Sequence, residues 1–268
     1  MIVVSIATAD RAERIAEQHR HLMQCGEEVR HGVVTMGTQS FHVPGVDVIA
    51  HVEETPVNLA RARNLAGDWA ASQDARGAVV FLDADCLPGK SLLKNYRAAL
   101  LDNRDSVVTG PVTYLPEGAD LRPEALPAQR QPHAARPDPA PGEILRSTAE
   151  QYDVFWSLSF AITAEKWRDV RETFGGFDEA FTGYGGEDTD FAWQLREHDI
   201  PLLWVGGADA FHMWHPVSSP PWEHLRDIVT NANLFHGKWG KWPMGGWLDA
   251  FERAGAIRLR AEKWEVVE

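Results

Sequence analysis

Long apolar runs and cysteines are both scarce in this chain. No stretch approaches the roughly 18 to 20 uninterrupted apolar residues that a membrane span needs, so no transmembrane segment is expected. The sequence opens with a strand-like run, Ile2 to Ile6, without the charged region and longer apolar segment of a secretory signal. The two cysteines, Cys25 and Cys86, lack metal-type spacing and favour a reducing compartment over a disulfide framework. We therefore expect a soluble, cytoplasmic protein.

Positive charge is also in short supply. The chain has 26 lysines and arginines against 39 acidic residues, a formal net charge of −13, and no basic cluster stands out. Nucleic-acid binding depends on neutralising phosphates, and anionic membranes attract polybasic segments. The charge balance therefore argues against both kinds of partner. Hydrophobic residues make up 44% of the 268 residues, which is enough for a globular core in one large domain or two small ones.

Two common nucleotide-binding signatures are absent, although the pattern of elements suits a nucleotide-binding fold. The chain has no Gly-x-Gly-x-x-Gly fingerprint and no glycine-rich loop ending in lysine. Apolar runs predict strands over 2–9, 29–36, 46–52 and 78–83, and helical spacing predicts helices over 10–25 and 57–72. Strands that alternate with helices imply a parallel, Rossmann-like α/β sheet with right-handed crossovers.

The second half of the chain mixes predicted elements with one irregular segment. The predicted elements are helices over 91–101, 164–173 and 188–197, strands over 106–114, 153–163 and 201–205, and a mostly helical tail over 222–260. Seven of the sixteen prolines lie within 116–143, which predicts a loop or a partly disordered excursion, either functional or simply solvated. We therefore expect an α/β domain over 1–216, interrupted by this loop, and a helical C-terminal extension over 217–268 packed on it.

Two aspartates follow the most strand-like run of the sequence. Val79 to Leu82 are typical of a buried central strand, and Asp83 and Asp85 come where that strand leaves the sheet. Ligands of open α/β sheets bind at the carboxyl ends of strands, and residues two apart on an extended chain point to the same side. Two such carboxylates suit Mg²⁺ or Mn²⁺, which could neutralise a diphosphate. The alternative is that both aspartates only cap a turn.

A glycine-rich acidic stretch, Gly183-Tyr-Gly-Gly-Glu-Asp-Thr-Asp190, is the most informative motif. Its glycines permit a backbone that approaches a ligand closely. Acidic residues at a helix N-terminus favour the helix dipole, and we assign Asp190 mainly to that role. Glu187 and Asp188 together exceed what capping needs. A carboxylate held there could accept a proton from an attacking hydroxyl.

The two acidic motifs together resemble those of the GT-A glycosyltransferases. The matching residues are Leu82-Asp-Ala-Asp85, which resembles their Asp-x-Asp motif, and the long stretch from Gly175 to Phe191, in the same order along the chain. The stretch from Asn58 to Asn64 also resembles the Ala-Arg-Asn helix of these enzymes. The resemblance covers about residues 1–215 and is greatest to family 2-type bacterial enzymes with a galactosyltransferase-like C-terminal segment. It implies the GT-A fold, a Rossmann-like nucleotide-sugar-binding sheet with flanking helices, here with a helical C-terminal extension.

The resemblance implies a metal-dependent hexosyltransferase. A sugar would pass from a nucleoside-diphosphate sugar, with a UDP-sugar favoured over a GDP-sugar, to a carbohydrate or other hydroxyl acceptor. Asp85 would bind Mn²⁺ or Mg²⁺ directly, with Asp83 nearer the ribose or the metal waters. A histidine after the next strand would complete the metal site, and His212 and His215 are the two candidates. An imidazole ligand favours Mn²⁺.

The resemblance also implies roles around the metal. Asp188 would be the catalytic base of an inverting transfer, with a retaining route left open, and Glu187 would orient the acceptor. Apart from the resemblance, aromatic faces pack against the C–H surfaces of sugars, so we expect Trp156, Trp214 or Trp222 to line the acceptor side of the nucleotide-sugar site. The alternative is that most of these tryptophans pack in the helical core. The remaining nucleotide-sugar contacts would be Thr8, Ala9, Asp10, Arg63 (facing the diphosphate), Ala84, Gly185 and Gly186. One departure is that Met36-Gly-Thr-Gln39 replaces an Asp-Asp-Gly-Ser-type turn, which leaves the nucleobase open.

Two other function classes stay open. Asp-x-Asp after a strand also serves metal-dependent phosphoryl or nucleotidyl enzymes, although the missing lysine loop counts against them. A non-catalytic module that binds a sugar or nucleotide could keep the same fold without activity. The presence of both acidic motifs counts against such a decayed site.

Overall fold

The computed structural model describes residues 1–267, and an eight-stranded sheet lies at its centre. The strands are β1 (Ile2–Thr8), β2 (Arg30–Met36), β3 (Asp47–Val52), β4 (Ala78–Leu82), β5 (Cys86–Pro88), β6 (Val107–Thr109), β7 (Val112–Tyr114), β8 (Ile144–Arg146), β9 (Ser159–Thr163), β10 (Leu202–Val205), β11 (Ala210–His212), β12 (Ile257–Arg260) and β13 (Lys263–Val266). The central sheet has the order β3-β2-β1-β4-β9-β6-β10-β8. Its first four strands are parallel, as the alternating pattern predicted.

The other half of the central sheet is mixed rather than parallel. β9 runs antiparallel to both of its neighbours, β4 and β6, while β10 is parallel to β6. β8 is also antiparallel to its neighbour β10, so the parallel arrangement expected for the first half of the chain does not extend to this half of the sheet. The chain returns to the carboxyl edge of the sheet before β9 starts, so it enters without the crossover helix that a parallel strand requires. Because β9 reverses direction, β4 and β6 both end at that edge.

Seven helices cover the sheet and its C-terminal end within the described residues. They are α1 (Ala12–Leu22), α2 (Leu59–Gln73), α3 (Leu92–Asp102), α4 (Ala164–Phe174), α5 (Glu187–Glu197), α6 (Leu225–Trp239) and α7 (Gly245–Arg253). Alternate strand residues face two separate cores, with Val4 packed in the core of α2, α4 and α5, and Val3 in the core of α1 and α3. Among residues 1–267, no helix is both long and apolar enough to cross a membrane.

Small residues bring α2 close to the sheet and to α4. Ala62, Ala66 and Ala70 are fully buried along one side of α2. A Cβ atom at Gly67 would lie 2.3 Å from the Trp167 ring, so only glycine fits at this contact. The helix is thereby held against the centre of the sheet, with its N-terminal turn directed to the carboxyl edge.

The proline-rich segment 116–143 folds onto a second, three-stranded sheet with the order β5-β11-β7. The strand predicted over 106–114 is split at Gly110, where a Cβ atom would lie 2.0 Å from the carbonyl oxygen of Ala208, and β7 leaves the central sheet for the small one. Leu126 of the proline-rich segment packs with Leu87 and Phe211 of the small sheet. The segment therefore has a packed apolar side rather than being an excursion into solvent.

The C-terminal extension contains the expected helices, α6 and α7, and also an unpredicted hairpin. β12 and β13 pair antiparallel around Ala261 and Glu262, which have φ values of 46° and 58°. Two positive φ values are typical of the tight hairpin turns that usually use Asn-Gly. The hairpin was missed because neither turn residue carries that signal.

A buried carboxylate connects the extension to the α/β domain. Asp190, which is fully buried on α5, accepts hydrogen bonds from Lys238 Nζ at 2.9 Å and from Trp239 Nε1 at 2.7 Å. Lys238 also donates to Asp178 at 2.9 Å. Asp190 was assigned mainly to helix capping, but in the structure its side chain accepts hydrogen bonds from α6. This contact fixes α6 against the start of α5.

We expect Asp190→Asn to destabilise the protein by about 1.5–3 kcal/mol, because a charge-assisted hydrogen bond is lost in a dry site. Urea unfolding followed by circular dichroism would measure the free energy of unfolding. Asp178→Asn is the matched control, since Asp178 meets the same lysine at a more exposed position, and we expect about 1 kcal/mol or less there. Equal losses in the two variants would contradict the proposed importance of the buried contact.

Candidate active site

The turn after β4 carries Asp83 and Asp85 to the carboxyl edge of the sheet. The Asp83 amide donates to the Leu158 carbonyl at 2.9 Å, and the Asp83 carboxylate accepts the Ala84 amide N–H at 2.8 Å. Ala84 is buried in a small apolar cluster, which anchors the turn. Burial, and then the charge of Asp85, raises the pKa of Asp83 to about 6. Because the ionised form of Asp83 is disfavoured in this environment, a positively charged ligand bound beside it would stabilise its carboxylate.

Gln18, fully buried on α1, holds this turn from inside the protein. Its Nε2 donates to the carbonyl oxygens of Asp83 and Cys86, both at 2.7 Å. Its Oε1 lies 2.7 Å from Ser5 Oγ on β1. Sequence reasoning missed Gln18, although a signal was present: three residues after Ile15, it falls on the apolar face of the helix. A buried polar residue of this kind needs polar partners, and here the partners are backbone groups of the acidic turn.

The expected metal ligands lie together. The Met213 amide donates to the Asp85 carbonyl at 2.7 Å, which brings the end of β11 against the acidic turn. One ligand atom each from Asp85, His212 and His215 lie within 4.8 Å of one another. Burial lowers the pKa of His212 to about 4, so its imidazole is neutral and has a free lone pair. Asp85 Oδ1 is buried and accepts no well-aligned hydrogen bond among residues 1–267, although two arginines lie within ion-pair distance of it. A carboxylate and two imidazoles fit a divalent cation such as Mn²⁺.

Two arginines at this position were not predicted. Arg14 Nη1 lies 3.1 Å and Arg11 Nη1 3.5 Å from Asp85 Oδ1. Arg11 ends the short 3₁₀ turn before α1, and Arg14 lies in the first turn of α1. Their spacing of three, directly after the carboxyl end of β1, was a usable signal. The expected nucleotide contacts Thr8–Asp10 form the turn between β1 and this helix and are partly exposed. This edge of the site therefore carries more positive charge than the sequence reading assigned to it.

The second acidic motif begins α5 at Glu187. Glu187 Oε1 accepts a hydrogen bond from Arg63 Nη1 at 2.8 Å, and both side chains are largely buried. Arg63 was expected to face a diphosphate, whereas its guanidinium contacts Glu187. Asp188 Oδ1 accepts the Thr189 amide N–H at 2.7 Å. Burial, and then the charge of Glu187, raises the pKa of Asp188 to about 6. A carboxylate with this pKa is ionised at neutral pH and can take up a proton.

The C-terminal extension supports the glycine-rich loop in front of these acids. Gly185 and Gly186 have φ values of 90° and 94°, which other residues rarely adopt. Asn231 of α6 donates through Nδ2 to the carbonyls of Thr182 and Gly185, at 2.9 and 2.8 Å. Nothing in the sequence points to Asn231, because its partners are backbone groups of a distant loop. The loop therefore takes its shape from glycines and from a contact made in the folded state.

Aromatic rings extend the site from the histidines toward the proline-rich segment. The Tyr114 ring lies 4.7 Å from His212 and 5.8 Å from His133, centroid to centroid. His133 in turn meets Trp156 edge-on at 4.9 Å. Trp156, an expected site residue, lies just before β9 at the carboxyl edge and is half-buried with φ of 50°. The proline-rich segment thus contributes to the wall of the site.

No protein-family model matches the chain. Among solved structures, it resembles TarS residues 1–349 from S. aureus in complex with UDP, with a TM-score of 0.58 and 14% identity over 88% of this chain and 64% of TarS 1–349. It also resembles GalNAc-T7 with UDP, GalNAc and Mn²⁺, with a TM-score of 0.53 and 13% identity over 90% of this chain and 51% of the other.

One short sequence match points the same way. The chain is 45% identical over 49 residues to validoxylamine A glucosyltransferase of Streptomyces hygroscopicus subsp. jinggangensis, which is 18% of this chain and 10% of that protein. It therefore spans less than two thirds of each of these proteins. TarS and GalNAc-T7 are GT-A glycosyltransferases. The chain has the GT-A fold, which confirms the fold expected from the two acidic motifs.

We expect Gln18→Leu to destabilise the protein by about 1–3 kcal/mol, because the buried carbonyls of Asp83 and Cys86 lose their donor. Urea unfolding measures this change. Gln24→Leu is the control, since Gln24 is exposed just after the same helix and should stay within about 0.5 kcal/mol of the wild type. A Gln18→Leu variant as stable as Gln24→Leu would show that the turn does not depend on Gln18.

Proposed function

We propose that this chain is a glycosyltransferase that moves a sugar from a nucleoside-diphosphate sugar, with UDP-sugar favoured, to a hydroxyl acceptor. The observation that carries the proposal is that both acidic motifs reach one edge of a GT-A sheet. Arg63 links them, since its positive charge opposes the raised pKa of both Asp83 and Asp188. The UDP bound in TarS and the UDP, GalNAc and Mn²⁺ bound in GalNAc-T7 support this donor class.

Asp85, His212 and His215 would hold the metal, Mn²⁺ or Mg²⁺. When bound, the cation would supply positive charge against the leaving diphosphate. Arg11 and Arg14 stand beside the same carboxylate and would contact diphosphate oxygens with charge-assisted hydrogen bonds. The diphosphate would therefore lie between the carboxyl ends of β1 and β4.

Asp188 would act as the base. The acceptor oxygen forms a bond to the anomeric carbon as the bond from that carbon to the diphosphate oxygen breaks. The acceptor proton passes to the Asp188 carboxylate, and the nucleoside diphosphate leaves with the bonding electrons. Attack opposite the leaving group inverts the anomeric configuration. Glu187, fixed by its ion pair with Arg63, would orient the acceptor.

The first test is thermal stabilisation by UDP with Mn²⁺ and then with EDTA. Ligand that binds only the folded state stabilises it by about 2.7 kcal/mol at a ligand concentration about 100 times Kd. We expect a shift with UDP and Mn²⁺ that EDTA largely removes, and that His212→Ala and His215→Ala both reduce. His42→Ala is the control, since His42 is exposed away from the acidic turn. The same melting measurement is then made with UDP-, GDP- and dTDP-sugars. If none of these ligands shifts the melting temperature, the proposed donor class is overturned.

The second test concerns the base. We expect Asp188→Asn to lower kcat by about 10²- to 10⁴-fold with UDP affinity unchanged, which is the usual contribution of a general base. The pKa of Asp188 is raised to about 6, and its ionised form is the active one. Activity of the wild type should therefore fall as pH drops through about 6 and level off above it.

The matched control for the base is Glu197→Gln, which neutralises an exposed acid at the other end of α5. It should keep both the rate and the pH profile. An Asp188→Asn variant that retains wild-type turnover, or a wild-type profile that is flat between pH 5 and pH 8, would remove Asp188 from the base role.

A further inference from the structure

Arg136, in the proline-rich segment, is buried with three of its five guanidinium N–H groups unused. Only 4% of the residue is exposed. Its Nη2 donates to Thr109 Oγ1 at 3.0 Å and to the Gly110 carbonyl at 3.2 Å. Its Nε and Nη1 are buried without a hydrogen-bond partner among residues 1–267. Three N–H groups of a guanidinium therefore point to no acceptor.

Such an arrangement is unfavourable for the unliganded protein. Removing a charge from water is costly unless an opposite charge and hydrogen bonds replace the water. Burial lowers the pKa of Arg136 to about 10, so the side chain still carries its charge at neutral pH. Arg130 of the same segment is paired with carboxylates, as is usual for an arginine with limited access to water. Its Nε lies 2.7 Å from Asp209, and its Nη2 contacts Asp138. Arg136 lacks comparable partners.

Arg136 lies at the substrate edge of the sheet. Thr109 ends β6, and β6 ends at the same edge as β4 because both are antiparallel to β9. The guanidinium carbon is 5.0 Å from the ring centre of Trp204, at the end of β10, and 5.7 Å from that of Trp156. These strands lie across β9 from the acidic turn, on the side of the site away from Arg11 and Arg14.

We propose that Arg136 binds an acidic group, a carboxylate or a phosphate, carried by a sugar substrate of the proposed transferase. The inference rests on the proposed function and specifies its substrate class. An anion supplies both the charge and the several acceptor oxygens that Nε and Nη1 lack, and charge-assisted hydrogen bonds to arginine are among the strongest in proteins. A neutral sugar would leave the charge unpaired.

Trp156 lies between the guanidinium and the open side of the site in this proposal. Of the four contacts named here, Thr109, Gly110 and Trp204 are buried, and Trp156 is partly exposed. Its φ of 50° and the 25° of Ser157 belong to a conformation that side-chain-bearing residues rarely adopt. On this proposal, the acidic group reaches Nε and Nη1 by displacing the Trp156 ring.

The acidic group could belong to the donor sugar or to the acceptor, and two titrations separate these sources. In the first, calorimetry with Mn²⁺ compares UDP-glucuronic acid with UDP-glucose. In the second, protein saturated with UDP and Mn²⁺ is titrated with glucuronic acid or glucose 6-phosphate and with glucose. We expect the wild type to favour the acidic member about 10- to 100-fold in one titration, and Arg136→Met to reduce that preference to about twofold.

Three controls separate recognition from a structural role. Arg122→Met removes an exposed arginine of the same segment and should keep the preference. Arg136→Lys keeps the positive charge and should retain part of the preference for the acidic ligand. This variant also provides a test if Arg136→Met fails to fold. Arg136→Met should melt no lower than the wild type, because it removes an unpaired buried charge. A variant that melts lower and keeps the acid preference would overturn the proposal.

UDP binding is read in the same experiments. A wild type that binds UDP but shows no acid preference in either titration would overturn the role of Arg136 and leave the proposed function standing. A wild type that binds no UDP would overturn the proposed function, and the inference with it.

Discussion

The structure depends on keeping several carboxylates buried or half-buried at one edge of a sheet. Asp83 and Asp85 leave β4 there, and Glu187 and Asp188 approach from the start of α5. Burial of the carboxyl groups raises the pKa values of Asp83 and Asp188 to about 6, and repulsion from the neighbouring carboxylates Asp85 and Glu187 adds to this effect. Arginines from α2 and from the start of α1 offset part of this repulsion. The remaining deficit of positive charge is what a cation would fill.

The C-terminal extension belongs to this arrangement rather than being an appendage. Asn231 supports the glycine-rich loop, and Lys238 and Trp239 hold Asp190 one turn beyond the catalytic candidates. Residues 217–267 therefore help to position the acids of α5. Gly183 shows how close the packing is, since a Cβ atom there would lie 2.3 Å from the Asp227 carboxylate. Loop and extension form one packed unit.

Most of the fold could be predicted where local pattern and burial agree. The parallel strands β1 to β4 are apolar runs, and the neighbouring helices have apolar residues at helical spacing. Both patterns are local in the sequence. The sequence-based predictions fail where the direction of a strand depends on parts of the chain that are distant in sequence, or where a turn lacks the usual residues. β9 reads as an apolar strand, but its antiparallel direction follows from the route of residues 83–158 around the carboxyl edge. The β12–β13 hairpin turns on Ala261 and Glu262, which carry no turn signal, so its strands resembled a continuation of the helical tail.

The sequence by itself determined which chemistry is available, because carboxylates after a buried strand and after a glycine-rich loop are local features with a known place in an α/β sheet. It indicated Asp83, Asp85, Glu187 and Asp188 without a structure. Only the tertiary structure decided the ion pairs: Arg63 pairs with Glu187 and Arg14 approaches Asp85, whereas Arg136, below Trp156, has no acidic partner among residues 1–267. The physical reason is that an ion pair depends on distances between side chains far apart in the chain, which packing sets and local spacing does not encode.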